Sequence, residues 1–371
     1  MDESNSLMEK PKRIIFLDLL RVFAIIMMVQ GHTVHTLLDS GYRTGDYQLY
    51  NFWAMFRGFT APIFMFTAGA VFAYLFLSNG LKWAENPRVK KGIFRFLILI
   101  AVGYLLRYPT YKIFDFANVS EKQWLIFFGV DALHLIAFGL LFLVFTFLIA
   151  EKLKVKAHYL FLALSIVVFF IFPFTKMVNW AQVFPLPIAA YFTKDTGSLF
   201  PLFPWIGYVF SGGILGSYLV SHPKVYKERG FIILMLLVGT IFYAGGVFVD
   251  WAGYTFDVEA TMFSSSWMVI LQRLGVVLFI SGIMVFIAKY IKDIPPIIKQ
   301  IGQHSLVIYA VHLVILYGSA WVPGLYNFYR ESLSVWATLG SVAVMYILML
   351  LLVLTLEKIK YKRKQYLAAK A

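Results

Sequence analysis

The 371-residue chain contains no cysteine. Disulfides, thiolate nucleophiles, cysteine-ligated metals and acyl-cysteine intermediates are therefore excluded. Its seven histidines are spread over several apolar segments with few carboxylates beside them, so no metal site is expected. The sequence also lacks a glycine-rich nucleotide loop, a G-x-S-x-G nucleophile motif and a basic stripe interleaved with aromatic residues. Nucleotide-loop enzymes, serine hydrolases and nucleic-acid binders are not indicated.

Charged side chains are scarce, at 14% of the residues, whereas hydrophobic residues make up 60%. A water-soluble protein of this length cannot bury so much apolar side chain. Hydropathy therefore predicts an all-α polytopic membrane protein, a bundle of about ten transmembrane helices. The first apolar segment is expected to be a retained span and not a cleaved leader. The expected spans are 14–38, 51–78, 92–109, 124–150, 157–175, 199–220, 230–250, 266–288, 301–320 and 333–356.

Most of the 33 lysines and arginines lie near the two termini and in alternate loops. By the positive-inside rule, both termini are expected in the cytoplasm. The net charge of +14 then serves topology and contact with anionic lipid. Without an internal repeat or a soluble domain, residues 1–371 are predicted to form a single integral-membrane domain. The stretch 176–198 contains Pro185 and Pro187, which favour an interfacial or re-entrant segment on the outer face over a spanning helix.

The first span carries four ionisable side chains, Asp18, Arg21, His32 and His35, on one helical stripe. Arg21 and His32 are about 16 Å apart along the helix axis. Ionisable groups inside a spanning helix indicate a functional site. The stripe predicts a lined cavity, with a charge near the cytoplasm and an imidazole deeper in the membrane.

Arg57 in the second span is expected at the depth of His32, because this span descends from the outer face. It would then complete a catalytic group with His32 and His35. The alternative is that Arg57 extends to the outer headgroups.

Lys91 and Arg95 begin the third span on the cytoplasmic side. They are either an ordinary positive-inside anchor or, with Asp18 and Arg21, a clamp for the phosphates of a cytosolic ligand.

Three further groups of ionisable residues lie within later spans. Asp131 and His134 share a helix face, and either position an imidazole for function or satisfy each other. Arg273 needs a partner, which Asp131 or a bound anion would provide. His304 and His312 share a stripe of the ninth span, about 12 Å apart. They either line a pathway or form ordinary hydrogen bonds to neighbouring helices.

The sixth span combines small residues with a proline–tryptophan corner. Gly212 and Gly216 are four residues apart and predict close helix packing. Pro204 and Trp205, at the outer end of the span, could shape an entrance.

Four segments carry a family resemblance, and they extend over about residues 13–316. They are FLDLLRVFAIIMMVQGH, RGFTAPIFMFTAGA, PLFPWIGYVFSGGILG and IGQHSLVIYAVHLVIL. With these segments the chain resembles the membrane-bound acyltransferases that include the acyltransferase-3 and the heparan-α-glucosaminide N-acetyltransferase-like proteins. The third segment is similar to the bacterial heparan-acetyltransferase-like branch.

The resemblance implies a bundle of about ten helices in the bacterial inner membrane. Such proteins move an acetyl group from cytosolic acetyl-CoA, or another acyl-CoA, to a sugar or glycan acceptor on the outer face. On matching positions, His32 is the catalytic imidazole and Arg21 belongs to the acyl-CoA site, while Lys91 and Arg95 match loosely. The lysosomal heparan enzyme has a histidine just ahead of its second span, and here Tyr50–Phe56 has none.

The leading hypothesis is a transmembrane acyl-CoA-dependent acetyltransferase with His32 as general base or acyl carrier. A proton-coupled transporter or flippase of an anionic or lipid-linked substrate is the alternative, and a purely structural membrane component is a third. The acceptor, O- or N-acylation and the oligomeric state stay open. The predicted catalytic residues are His32, Arg57 and His35. The predicted donor-binding residues are Arg21, Asp18, Lys91, Arg95, His134, Arg273, His304 and His312.

Overall fold

The computed structural model describes residues 13–255 and 261–370, and within these ranges it contains no β-strand. Three short 3-10 helices occupy Ser40–Arg43, Trp83–Glu85 and Val225–Lys227. The α-helices are α1 Ile15–Leu37, α2 Gln48–Arg57, α3 Thr60–Leu77, α4 Pro87–Leu106, α5 Glu121–Phe128, α6 Ala132–Leu153, α7 Ala157–Thr175, α8 Trp180–Val183, α9 Leu186–Ala189, α10 Leu202–Ser221, α11 Arg229–Thr255, α12 Thr261–Tyr290, α13 Pro296–Gln303, α14 Ser305–Tyr317, α15 Tyr326–Tyr329 and α16 Val335–Lys370.

Across the described ranges, eight helices are long and apolar enough to cross a membrane, and the bent pair α13–α14 makes a ninth span if it is counted as one. This confirms the all-α polytopic membrane class, and each of these spans overlaps an expected one. The remaining expected span, 92–109, falls on α4, which is helical. Its first half carries Arg88, Lys90, Lys91 and Arg95, so it is less apolar than the others.

Packing divides the chain into two compact units. The described residues of the first unit are 13–20, 62–105, 120–255 and 261–291. Within it, α10 packs against α6 and α7, and α11 pairs with α12. The described residues of the second unit are 21–61, 106–119 and 292–370. Within this unit, α14 packs against α13 and α16.

Small residues allow α10 and α3 to touch backbone to backbone in the first unit. A Cβ atom added to Gly212 would overlap the Phe66 carbonyl, and one added to Gly216 would overlap the Ala70 carbonyl. Gly69 on α3 faces the Val209 carbonyl in the same way. The predicted role of the glycine pair in close helix packing is confirmed.

We expect Gly212→Ala to destabilise the first unit by about 1–3 kcal/mol, since the new methyl group meets backbone that cannot rotate away. Gly245→Ala is the matched control, because a Cβ there meets nothing within 4 Å. Thermal unfolding in detergent is the measurement. Equal midpoints for the two variants would contradict the close-packing account.

The stretch 176–198 does not form a spanning helix, as predicted. It contains only the four-residue helices α8 and α9. Its aromatic rings stack on each other, with the ring centroids of Trp180 and Phe192 4.6 Å apart and those of Phe184 and Phe192 5.9 Å apart. Its placement at the outer membrane surface stays a prediction.

The ninth expected span is not straight, because α13 and α14 meet at an angle of 70°. His304 lies at the junction with non-helical backbone angles of φ −95° and ψ 16°. Its Nε2 atom is 2.8 Å from Glu357 Oε1 on α16, and Lys360 Nζ binds the same oxygen. The expected straight span is therefore interrupted at His304, because hydropathy reads through the bend, and a hydrogen bond between His304 and Glu357 holds the ring there. The common stripe of His304 and His312 stays a prediction.

Candidate active site

Two imidazoles meet in the second unit, His32 from α1 and His312 from α14. Their ring centroids are 5.4 Å apart, and the ring planes are inclined by 53°. His312 is fully buried, whereas His32 is partly exposed. The sequence placed these histidines on two separate polar stripes and gave no reason to pair them.

The His312 ring has a defined tautomer. Its Nδ1 atom lies 2.7 Å from the Ile308 carbonyl, one turn earlier in α14. A carbonyl only accepts hydrogen bonds, so Nδ1 carries the proton, and in the neutral ring Nε2 holds a lone pair. Nε2 is buried and has no hydrogen-bond partner among the described residues. The His312 ring next to His32 therefore carries a basic nitrogen, Nε2, to which no group in the described residues donates a hydrogen bond.

Tyr317, at the end of α14, is the other aromatic neighbour of His32. The Tyr317 hydroxyl lies 3.4 Å from His32 Nδ1, and the two rings meet edge to face with centroids 6.1 Å apart. Sequence reasoning missed Tyr317. The only available signal was its position five residues after His312, more than one helical turn along.

Arg57 packs directly beside the His32 segment of α1. A Cβ on Gly31 would lie 3.1 Å from Arg57 Cγ, so the absence of a side chain at residue 31 lets the arginine approach. The Arg57 guanidinium lies 5.5 Å from the centre of the Trp53 ring, and Trp53 Nε1 donates to Gln30 Oε1 at 2.8 Å. Packing against Gly31 and the Trp53 ring, which is itself bonded to Gln30, thus holds Arg57 next to His32. A cation in this position can stabilise developing negative charge.

Arg43 ties down the C-terminal end of α1. Its Nη2 atom donates to the carbonyls of His35 and Leu38 at 2.7 and 2.6 Å, and Nη1 pairs with Glu331 at 3.3 Å. These bonds satisfy carbonyls that a helix end leaves without partners. The His35 side chain is exposed, and its catalytic role stays a prediction.

Arg21 contacts α13 within the second unit. Its Nη1 atom donates weakly to the Gly302 carbonyl at 3.4 Å, and a Cβ on Gly302 would lie 3.4 Å from Arg21 Cδ. The glycine thereby leaves space for the arginine stem. Arg21 is about three turns from His32 along α1, as the spacing requires.

Five of the other predicted donor-side residues belong to the first unit, and His304 and His312 belong to the second. Asp18 forms a two-point ion pair with Arg13, with the Nε–Oδ2 distance 2.5 Å and the Nη2–Oδ1 distance 3.2 Å. Lys91 and Arg95 are exposed and form no ion pair within the described ranges. Because Arg21 belongs to the second unit, a phosphate clamp built from these residues stays a prediction.

Asp131 and His134 form a helix cap. Asp131 is the N-cap of α6, and its Oδ1 atom accepts from the backbone N–H groups of Leu133 and His134 and lies 2.8 Å from His134 Nδ1. His134 is fully buried, with its ring 4.5 Å from that of Tyr104. These contacts account for the pair as a structural element, which was one of the two readings of the sequence. Arg273 does not pair with Asp131; instead its guanidinium lies over the ring of Trp205 at 4.5 Å.

No group of three or more His, Cys, Asp or Glu residues that could hold a metal ion occurs in the part of the chain that the structure describes.

Comparison with known families gives a match over most of the chain. The family model described as "Heparan-alpha-glucosaminide N-acetyltransferase, catalytic" matches residues 13–244, well over half of the chain. The matched range includes His32 and Arg57, whereas His312 lies beyond it. No curated protein and no solved structure matches the chain.

Proposed function

The chain belongs to the heparan-alpha-glucosaminide N-acetyltransferase catalytic family, and from this premise we propose that it moves an acetyl group from cytosolic acetyl-CoA to a sugar or glycan acceptor on the other side of the membrane. A transmembrane acetyltransferase is what the family establishes. The donor, the acceptor class and the residue roles are the proposal. A bacterial inner membrane is the proposed location.

The observation that carries the proposal is the His32–His312 pair. Acetyl transfer to a hydroxyl or an amine needs a group that accepts a proton near neutral pH, and neutral imidazole is suited to this. His32 is partly exposed and therefore accessible to a substrate, while the Nε2 lone pair of His312 lies beside it without a partner. Two imidazoles at a centroid distance of 5.4 Å give the site two proton acceptors.

Acetyl transfer can proceed in either of two orders. In direct transfer, the acceptor oxygen or nitrogen attacks the acetyl carbonyl carbon, an imidazole takes its proton, the C–S bond breaks and the CoA thiolate leaves and is protonated. In the second order, a ring nitrogen of His32 attacks the acetyl carbonyl carbon, the C–S bond breaks, and the CoA thiolate leaves and is protonated. The acceptor then attacks the acetyl group on His32, the bond between the ring nitrogen and the acetyl carbon breaks, and His312 takes the proton of the acceptor. Arg57 and the Tyr317 hydroxyl, both next to His32, are proposed to stabilise the oxyanion that forms in both orders.

Label trapping distinguishes these two orders. Acetyl-CoA labelled in the acetyl group, mixed with protein in the absence of an acceptor, should leave label on His32 only if the acyl-histidine forms.

Arg21 is proposed to hold a phosphate of the donor, since it lies three turns from the catalytic imidazole on the side predicted to face the cytoplasm. We expect Arg21→Ala to weaken acetyl-CoA binding about 10–100-fold, the loss of one charge-assisted contact. Binding is measured by calorimetry with the purified protein. Lys299→Ala, a cation of α13 outside the proposed contact, serves as the control. Unchanged affinity in Arg21→Ala would remove Arg21 from the donor site.

The proposal is tested by incubating purified protein with labelled acetyl-CoA and a panel of amino sugars and glycans, and following CoA release and label transfer. We expect label on at least one acceptor. The competing function, transport of an anionic solute, predicts instead that acetyl-CoA stays intact and that the protein moves solute into liposomes.

A further inference from the structure

A second group of cations lies in the first unit, around the buried indole of Trp205 near the start of α10. The Arg273 guanidinium lies 4.5 Å above the ring centre, and Lys194 Nζ lies 5.9 Å from the same centre. Arg273 comes from α12, and Lys194 from the loop that precedes α10. Lys176, at the end of α7, binds the Ser266 hydroxyl at 2.7 Å and adds a third positive charge to this part of the unit.

These cations have no carboxylate partner among the described residues. Neither Arg273 nor Lys194 forms an ion pair in residues 13–255 or 261–370, and the neighbouring Asp195 accepts a hydrogen bond from Thr193. The pKa of Lys194 is lowered by partial desolvation and by the positive charge of Arg273, as expected for two cations that lie close to each other.

The indole itself contributes an unused donor. Trp205 is 4% exposed, and its Nε1 atom has no hydrogen-bond partner in the described residues. A buried N–H group without an acceptor is costly, so an acceptor from outside the chain is the expected partner. Stacking on the ring also leaves the in-plane N–H groups of Arg273 available for a second group. The cluster therefore contains several donors and, among the described residues, no carboxylate; the Tyr208 hydroxyl, within hydrogen-bonding reach of Arg273, is a neutral acceptor for one of its N–H groups.

We propose that Arg273, Lys194 and the Trp205 N–H form a binding site for the phosphate group of a lipid. Two cations and one N–H group match the charge and the several oxygens of a phosphate better than the two oxygens of a carboxylate. The phosphate comes either from a phospholipid headgroup or from a polyprenyl-phosphate-linked sugar.

The surroundings favour a lipid over a free anion. The same unit carries the stacked rings of Trp180, Phe184 and Phe192, and the neighbouring Val183 and Ile188 are 57% and 48% exposed. Aromatic side chains beside exposed aliphatic ones are typical of the membrane–water interface. This binding site does not depend on the proposed acetyl transfer, so absence of that activity would not count against it.

The experiment measures binding to the full-length protein in detergent by calorimetry with four probes: farnesyl phosphate, farnesol, dihexanoylphosphatidylglycerol and inorganic phosphate. We expect farnesyl phosphate, dihexanoylphosphatidylglycerol or both to bind. If farnesyl phosphate binds, farnesol, which lacks the phosphate, should bind at least about tenfold more weakly. The probe that binds identifies the source: a prenyl phosphate, a phospholipid headgroup, or either one.

The double variant Arg273→Gln/Lys194→Gln should bind the lipid phosphate at least about tenfold more weakly. Trp205→Phe keeps the ring and removes only the N–H donor, and a several-fold loss is expected even if the double variant does not fold. Arg330→Gln is the matched control, because its guanidinium also lies over an aromatic ring, 5.0 Å from the centre of Tyr326. It should bind like the wild type.

Three results would overturn the proposal. The first is equal binding of the lipid phosphate by the folded double variant and the wild type. The second is binding of inorganic phosphate and of no lipid probe. The third is displacement of the lipid phosphate by CoA with the same dependence on Arg273 and Lys194, which would assign the cluster to the acetyl-CoA site.

Discussion

His32→Ala should abolish acetyl transfer, with kcat falling about 10²–10⁴-fold, the range that a positioned general base contributes. The substitution removes the imidazole that is accessible beside Arg57 and Tyr317 and leaves Arg21 in place. Acetyl-CoA binding should therefore change little. The measurement is the rate of label transfer from acetyl-CoA, with donor affinity determined separately by calorimetry.

His222→Ala is the control for His32→Ala. His222 is exposed just after α10, where its Nδ1 atom lies 3.2 Å from the Tyr218 carbonyl and its ring stacks on that of Tyr218. It should retain full activity. If His32→Ala instead kept its kcat and lost donor affinity, the histidine would belong to the acetyl-CoA site and its catalytic role would be wrong.

His312→Asn should be the second variant with a large loss, again about 10²-fold or more in kcat. An asparagine amide can donate to the Ile308 carbonyl much as Nδ1 does, so the local helix contact is kept. What disappears is the Nε2 lone pair. We therefore expect a folded protein with an unchanged thermal midpoint, an unchanged KM for acetyl-CoA and little turnover.

His312→Gln provides the comparison for a purely structural role, because its longer side chain brings the amide near the Nε2 position and gives up the bond to Ile308. If His312 only stabilises α14, Asn should be active and Gln unstable. If Nε2 is a catalytic base, both variants lose kcat, and only Gln also loses stability. Full activity of a folded His312→Asn variant would exclude the base role.

Hydropathy and helical spacing predicted those parts of the structure that depend on local sequence. The spans follow from apolar runs of sufficient length. The close approach at Gly212 and Gly216 follows from four-residue spacing of small residues. Arg57 was placed at the level of His32 from the alternating direction of the spans, and its packing on Gly31 agrees with this.

What the sequence could not reveal depends on long-range contacts and on bends. His32 and Tyr317 are 285 residues apart, and no periodicity within one helix links them. The bend at His304 lies near the start of the expected span 301–320, and a hydropathy window averages over it. The stack of Arg273 on Trp205 likewise joins two helices, so the sequence showed only that the arginine needs a partner.

The most direct test uses proteoliposomes that hold the amino-sugar and glycan acceptors inside, with labelled acetyl-CoA added outside. The account predicts labelled acceptor in the lumen with the wild-type protein, none with His32→Ala, and no labelled acetyl-CoA in the lumen in either case. Lumenal label that is equal in the wild type and His32→Ala, or acetyl-CoA that stays intact with every acceptor, would contradict it.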